Sequence, residues 1–352
     1  MKKAVIAMSG GVDSSVAAYL CVKEGYECIG ATMKLFDGED IKKEKTCCSL
    51  EDVEDARSVA KKLGIDYFVF NFTGEFDEKV IKKFVESYER GATPNPCIDC
   101  NRYLKFEKLF TRMKEIGYDY VVTGHYARIE KDGSRFLLKK GVDETKDQSY
   151  VLYSMTQEQL MHTMFPLGSY TKKHIREIAE ENGFVNARKH DSQDICFVPD
   201  GDYARFIEKY RGKQYKHGNF IDRTGKVLGR HKGIIRYTIG QRKGLGLSLP
   251  APMYVCDKNI EKNEVVLCDN NSLFSKSLDA SEFNWIAFEN PPKTITAKAK
   301  IRYKQAEETA HISVTGERKV HIEFENPQRA IAKGQAVVLY DGDVVLGGGT
   351  ID

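Results

Sequence analysis

No apolar run in this chain approaches the roughly 18 residues that would cross a bilayer as a helix, which excludes a helical membrane protein. Met1-Lys2-Lys3 leads into only five apolar residues, Ala4 to Met8, before a pair of glycines, too short a stretch for a secretion signal. The expected location is therefore cytoplasmic, with no membrane partner. Charge of one sign is also scarce: 54 Lys and Arg stand against 51 Asp and Glu, a net of +3. Internal repeats and low-complexity tracts are absent. What remains is 352 residues, 41% hydrophobic and 30% charged, enough for two or three domains with real cores.

Nine cysteines in a long chain, an odd count and no export signal argue against a disulfide framework. Cys21, Cys28, Cys256 and Cys268 sit singly among apolar neighbours and read as small core residues. Cys47-Cys48, Cys97, Cys100 and Cys196 lie in polar, turn-rich strings and call for another explanation, metal binding or catalysis. Charge is uneven as well. Residues 201–250 hold twelve Lys or Arg against three acids, 12 − 3 = +9, so the rest of the chain sums to 3 − 9 = −6. A basic block in an acidic chain suits a polyanion partner, or else a merely solvated surface.

The first two-thirds alternates apolar β-type runs (Ala4–Met8, Cys28–Leu35, Tyr67–Phe70, Tyr120–Thr123) with helical patterns at 14–23, 50–63, 76–88 and 103–116. That order indicates an α/β fold, a parallel sheet covered on both faces. After about residue 200 helical periodicity fades. Short β-type runs follow between Gly, Asn and Asp turns. The expected domains are 1–200, a basic β-rich unit over 201–271, and a C-terminal antiparallel β-barrel over 272–352.

The string Ala7-Met8-Ser9-Gly10-Gly11-Val12-Asp13-Ser14 joins the first strand to the first helix. Two glycines can turn successive N–H groups toward one point, and a helix N-terminus adds its positive dipole end there. Ser9 and Ser14 supply hydroxyl donors, and Asp13 can hold a magnesium ion bridging phosphates. No lysine follows as in the Gly-x-x-x-x-Gly-Lys loop, so γ-phosphate hydrolysis is disfavoured. An ordinary tight turn is the bland alternative. Nucleotides in open α/β sheets bind at the carboxyl ends of the strands, which brings in Met33, able to pack on adenine, and Gly124, able to admit a close backbone approach.

This loop resembles that of the N-type ATP pyrophosphatases, adenine nucleotide alpha hydrolase-like domains that release pyrophosphate while AMP is attached to a substrate. Further strings extend the likeness from residue 4 to residue 351: Gly91-Ala92-Thr93-Pro94-Asn95-Pro96-Cys97-Ile98-Asp99-Cys100-Asn101, Thr123-Gly124-His125-Tyr126, Lys146-Asp147-Gln148-Ser149-Tyr150, Asp191-Ser192-Gln193-Asp194-Ile195-Cys196-Phe197 and residues 237–246. Together they resemble the family of bacterial tRNA-specific 2-thiouridylases. The resemblance implies ATP-dependent replacement of O2 of the wobble uridine by sulfur, with tRNA and a persulfide-carrying donor protein as partners. It implies Cys100 as nucleophile, Cys196 as persulfide carrier, and ATP at residues 7–14, Met33 and Gly124. It also implies tRNA contacts at His125, Lys146-Asp147-Gln148, Arg302-Tyr303 and Gln335. The target base must leave its stack, which suits an anticodon loop, and Arg236, Arg242 and Lys243 suit its phosphates.

One departure stands out. Many members carry Asn-Pro-Asp-x-x-Cys-Asn in the first cysteine string, whereas here Cys97 takes the place of that Asp and the acid falls at Asp99. Cys97, Cys100 and Cys196 thereby also resemble the three-thiolate iron–sulfur ligation of related tRNA thiolases. Cys47 and Cys48 fit neither scheme and read as structural, with a labile zinc site as the alternative. An amidating synthetase of the same superfamily is the rival enzyme, though no ammonia-generating domain is visible. A non-enzymatic RNA-binding or sulfur-carrier protein is the rival of another class.

Overall fold

The computed structural model describes residues 1–36, 50–189 and 195–352. Cys47, Cys48 and Asp191–Asp194 lie outside the described residues.

A five-stranded parallel sheet organises the first half, in the order β3-β2-β1-β4-β7. Its strands are β1 (Lys3–Ala7), β2 (Glu27–Lys34), β3 (Asp66–Asn71), β4 (Tyr120–Val122) and the short β7 (Thr163–Met164). β1 is central, and its period-two alternation feeds two separate cores. Val5 packs on one face with Ala31, Val121, Phe76 and Phe84. Ala4 and Ile6 pack on the other with Val122, Val16 and Ala17 of helix α1 (Val12–Lys23). Both faces are therefore covered, α2 (Leu50–Leu63) and the helix Lys172–Glu181 flanking α1. No described helix is long and apolar enough to cross a membrane.

The cysteine string differs from its expected form. Instead of a loop followed by a helix at 103, helical structure begins at Pro96. Proline suits the first helical position because its missing N–H is not needed there, and Asn95 caps the end by accepting from the Cys97 N–H at 3.2 Å. From Cys100 to Lys108 the winding widens to i→i+5 bonds, a form often found at functional sites.

Six strands close the C-terminal barrel: β12 (Phe274–Trp285), β15 (Lys319–Arg329), β14 (Glu308–Gly316), β13 (Thr294–Lys300), β16 (Ala336–Asp341) and β17 (Val344–Ile351), with β17 pairing back onto β12. Closure removes the free edges. A hairpin unmarked in the sequence reading, β5 (Ala127–Asp132) and β6 (Arg135–Lys140), leaves the first half of the chain to join β17. Between them lies a four-stranded sheet, β10 (Tyr254–Asn259), β11 (Glu264–Cys268), β8 (Gly218–Asp222) and β9 (Val227–His231). Helical structure does not end at residue 200. The helix Tyr203–Arg211 is capped by Asp202 and stopped by left-handed Gly212, and Tyr203, Phe206, Ile207 and Tyr210 fall at helical spacing on its core-facing side, a short period unmarked in the sequence reading.

Barrel and first domain meet without a gap at Gly348, where an added Cβ would lie 2.7 Å from the Tyr153 ring and 2.8 Å from the Val337 carbonyl oxygen. Gly348→Ala is therefore expected to cost about 1–3 kcal/mol by overpacking. Thermal unfolding checks this: a midpoint equal to the parent's would contradict the close contact.

Candidate active site

Three glycine-dependent contacts shape the floor of the site. Gly10 adopts φ +75°, and a Cβ there would lie 2.3 Å from the Asp52 carbonyl oxygen. Gly30 leaves room for the Met8 thioether, which a Cβ would meet at 2.6 Å. Gly124, just past β4, lies against the first turn of α1, where a Cβ would be 2.8 Å from Asp13 C and 2.9 Å from Ser14 N. Around this floor the hydroxyls of Ser14 and Ser15 donate to the Gly11 carbonyl at 3.0 and 3.1 Å. The Ser9 N–H donates to Ser14 Oγ at 3.2 Å. Asn186 donates from behind to the Gly10 carbonyl and to Ser15 Oγ, both at 2.9 Å. These bonds fasten the loop at both its backbone and its hydroxyls, and no side chain caps the N-terminus of α1 at Gly11. Its first N–H groups are left for an anion.

Asp13 is already engaged. Its two oxygens accept from Lys172 Nζ, both at 2.8 Å, and Oδ1 also accepts from the Tyr126 hydroxyl at 2.7 Å. Lys172 is only 8% exposed.

Above the loop a cleft of about 700 Å³ opens at the carboxyl ends of β1, β2 and β4. Ala7–Ser9, Gly11–Ser14, Met33 and Gly124 line it, and so do Cys97, Cys100 and Cys196. Lys146, Gln148 and Tyr303 line it as well. Residues separated by up to 297 positions, Ala7 to Lys304 (304 − 7), thus share one cavity.

Comparison with known proteins adds to this geometry. Residues 2–200 match the family described as the tRNA methyl transferase HUP domain. Residues 204–269 match a tRNA methyl transferase PRC-barrel domain, and 275–351 an aminomethyltransferase beta-barrel domain. The tRNA-specific 2-thiouridylase MnmA of Clostridioides difficile (strain 630) is 52% identical over 354 residues, covering 100% of this chain and 98% of that protein. Its counterpart in Acetivibrio thermocellus is 51% identical over 355 residues, covering 99% of each. The chain belongs to the tRNA-specific 2-thiouridylase family. Among solved structures, a 4-thiouridine synthetase–RNA complex with bound ATP is 19% identical, with a TM-score of 0.40 over 59% of this chain and 50% of that one.

Other residues expected to act in such a thiouridylase fall in different places. His125 lines the cleft but is buried, its Nδ1 2.6 Å from Thr123 Oγ1 and its Nε2 3.3 Å from Lys105 Nζ. Burial, and then the Lys105 charge, hold its pKa well below the usual histidine range, so the ring is neutral. Asp147 faces inward, accepting from the N–H groups of Gly141 and Ser149 at 3.0 and 3.2 Å. Tyr303 donates to the Asp147 carbonyl at 2.9 Å, and burial above all pushes its phenol up to about 12. Gln335 donates to the Thr93 carbonyl at 2.8 Å. Arg302 donates to the Ala330 carbonyl and lines a second hollow, of about 630 Å³, with Lys232, Arg236 and Gln241. Arg236 is held by Glu208 at 2.7 Å, whereas Arg242 and Lys243 are exposed.

Asp99 does not stand in for the missing acid at position 97. It is buried outside the cleft and paired with Lys83 at 2.7 Å. Burial raises its carboxyl pKa while the Lys83 ammonium opposes the rise. The three thiols share the cleft, yet among the described residues no three His, Cys, Asp or Glu groups converge closely enough to hold a metal. Cys21, Cys28 and Cys268 are buried and Cys256 is half-buried, as small core residues would be.

Sequence reasoning missed Lys172, Asn186 and Lys105. Lys172 reaches Asp13 across 159 positions, and no local pattern announces such a pairing. Charge-assisted bonds of this kind contribute about 1.5–3 kcal/mol, and without Lys172 the Asp13 charge would face a polyanion uncompensated. Lys172→Met is expected to raise the KM for ATP about tenfold or more. Steady-state kinetics check it, and an unchanged KM would contradict the role of the pair.

Proposed function

We infer that this protein replaces O2 of a tRNA wobble uridine by sulfur, adenylating that oxygen with ATP before the sulfur attacks. The single observation that supports this reading is the shared cleft, whose lining combines a loop with amides for a pyrophosphate and three thiols. Methyl transfer, the activity in the description of the matched first domain, would give neither group a task. A carbonyl oxygen is a poor leaving group, and its conversion to AMP removes several kcal/mol from the barrier.

Residues 7–14 hold the β- and γ-phosphates, Met33 packs on adenine, and Gly124 gives the nucleotide close backbone approach. A carboxylate offers about four lone pairs; Lys172 and Tyr126 take three of those on Asp13. The fourth fits a magnesium ion carried in on the phosphates, whose charge offsets theirs. Cys196 carries a persulfide supplied by a donor protein. Its outer sulfur attacks C2, the C2–O2 bond breaks, and AMP leaves with the former O2. The Cys100 thiolate then attacks Cys196 Sγ, leaving sulfur on the base and a Cys100–Cys196 disulfide that an external thiol reduces. Lys146, Gln148 and Tyr303 meet the extruded nucleotide at the cleft. Arg302, Arg242 and Lys243 meet phosphates farther along the RNA, while His125, Asp147 and Gln335 shape that surface from behind.

Cys196→Ser is expected to abolish 2-thiouridine formation while tRNA binding and tRNA-dependent ATP–pyrophosphate exchange survive. Mass analysis of digested tRNA reads the product, and thiolation retained in this variant would defeat the two-cysteine route. Replacing Arg242 and Lys243 together by Gln should weaken tRNA binding and flatten the slope of log affinity against log salt by about one to two. An unaltered slope would show that neither residue meets a phosphate.

A further inference from the structure

Lys105 lines the same cleft and has no part in the steps above. It lies five positions after Cys100. In an α-helix five residues overshoot a full turn and point elsewhere. The i→i+5 winding of Cys100–Lys108 brings Lys105 back toward the side of Cys100. A second contact fixes its head group: Nζ lies 3.3 Å from His125 Nε2. Since an ammonium only donates, Nε2 must accept. The neutral ring then keeps its proton on Nδ1 and donates it to Thr123 Oγ1 at 2.6 Å. This chain orients the ammonium without neutralising it. Lys189 and Lys172 are paired with carboxylates, whereas no carboxylate among the described residues is paired with Lys105. Finally, His125 follows Gly124, which rests on Asp13 and Ser14. Lys105 thus shares the cleft with Cys100 and is linked to the phosphate loop through His125 and Gly124.

We propose that Lys105 is a further catalytic residue, whose ammonium binds the non-bridging oxygens of the ATP α-phosphoryl group while uridine O2 attacks it. The O2–Pα bond forms, the bond from Pα to the bridging oxygen breaks, and pyrophosphate leaves with that electron pair; the uracil N3 proton passes to solvent. Lys105 offsets the charge that gathers on the α-oxygens at this moment. The assignment rests on the adenylation reading given above.

The test is tRNA-dependent ATP–pyrophosphate exchange with ATP and with its α-phosphorothioate, on the full chain carrying Lys105→Met or Lys105→Arg. Lys105→Met is expected to slow exchange about a hundredfold with ATP and tRNA affinities little changed, and to lose the parent's discrimination against sulfur at the α-position. Lys105→Arg is expected to restore most of the rate, and it carries the comparison alone should the Met variant not fold. Near-parental exchange in Lys105→Met overturns the assignment, as does a slow variant that keeps the parent's thio discrimination, since a purely structural defect would leave that ratio untouched. A parent protein with no tRNA-dependent exchange overturns the function itself, a distinct outcome.

Discussion

The ion pair between Asp13 and Lys172 is the interaction on which the site depends. A carboxylate at the mouth of a phosphate loop repels the ligand the loop exists to hold. Here both carboxylate oxygens are bonded to a lysine that is almost out of solvent, and the Tyr126 hydroxyl adds a third bond. Opposite charges 2.8 Å apart offset each other even though the Asp13 side chain still faces the cleft. Asp13 therefore enters the cleft as part of a near-neutral unit with one lone pair to spare. The same pair ties α1 to the helix Lys172–Glu181, so the geometry of the loop and its electrostatics have one origin.

The cysteine wall is held just as firmly, but from the opposite end of the chain. The Thr93 N–H donates to the Lys333 carbonyl at 2.8 Å, and Gln335 returns a bond to the Thr93 carbonyl. Gly334 lies so near that a Cβ would be 2.9 Å from the Ala92 methyl. The barrel thus grips the segment that Asn95 and Pro96 convert into a helix, and that helix presents Cys97 and Cys100. The barrel thereby fixes the position of the thiol-bearing segment through packed backbone.

Much of the parallel sheet was legible because its central strands are buried on both faces and read as unbroken apolar runs. The loop at 7–14 was legible for a different reason: its glycines and hydroxyls serve a local geometry that sequence neighbours alone create. The helix start at Pro96 was not legible, since proline marks a helix start as readily as a break and only the Asn95 cap decides. Hairpin β5–β6 carries a local signal that was passed over, the Asp132-Gly133 turn with Gly133 in the left-handed region, and only its pairing with β17 at Val344 lies beyond a local reading. Lys172, Asn186 and Lys105 were invisible for the same physical reason. Each acts through a contact distant in sequence, and a lone charged or amide residue on a helix or loop reads as solvated surface until its partner is in view.

The central claim is that the uridine oxygen itself is adenylated and departs with AMP. It is tested most directly by thiolating tRNA whose wobble uridine carries heavy oxygen at O2, and weighing the AMP released in the first turnover. The account predicts that the heavy oxygen appears in AMP, one atom for each 2-thiouridine formed. Unlabelled AMP alongside fully thiolated tRNA would contradict it.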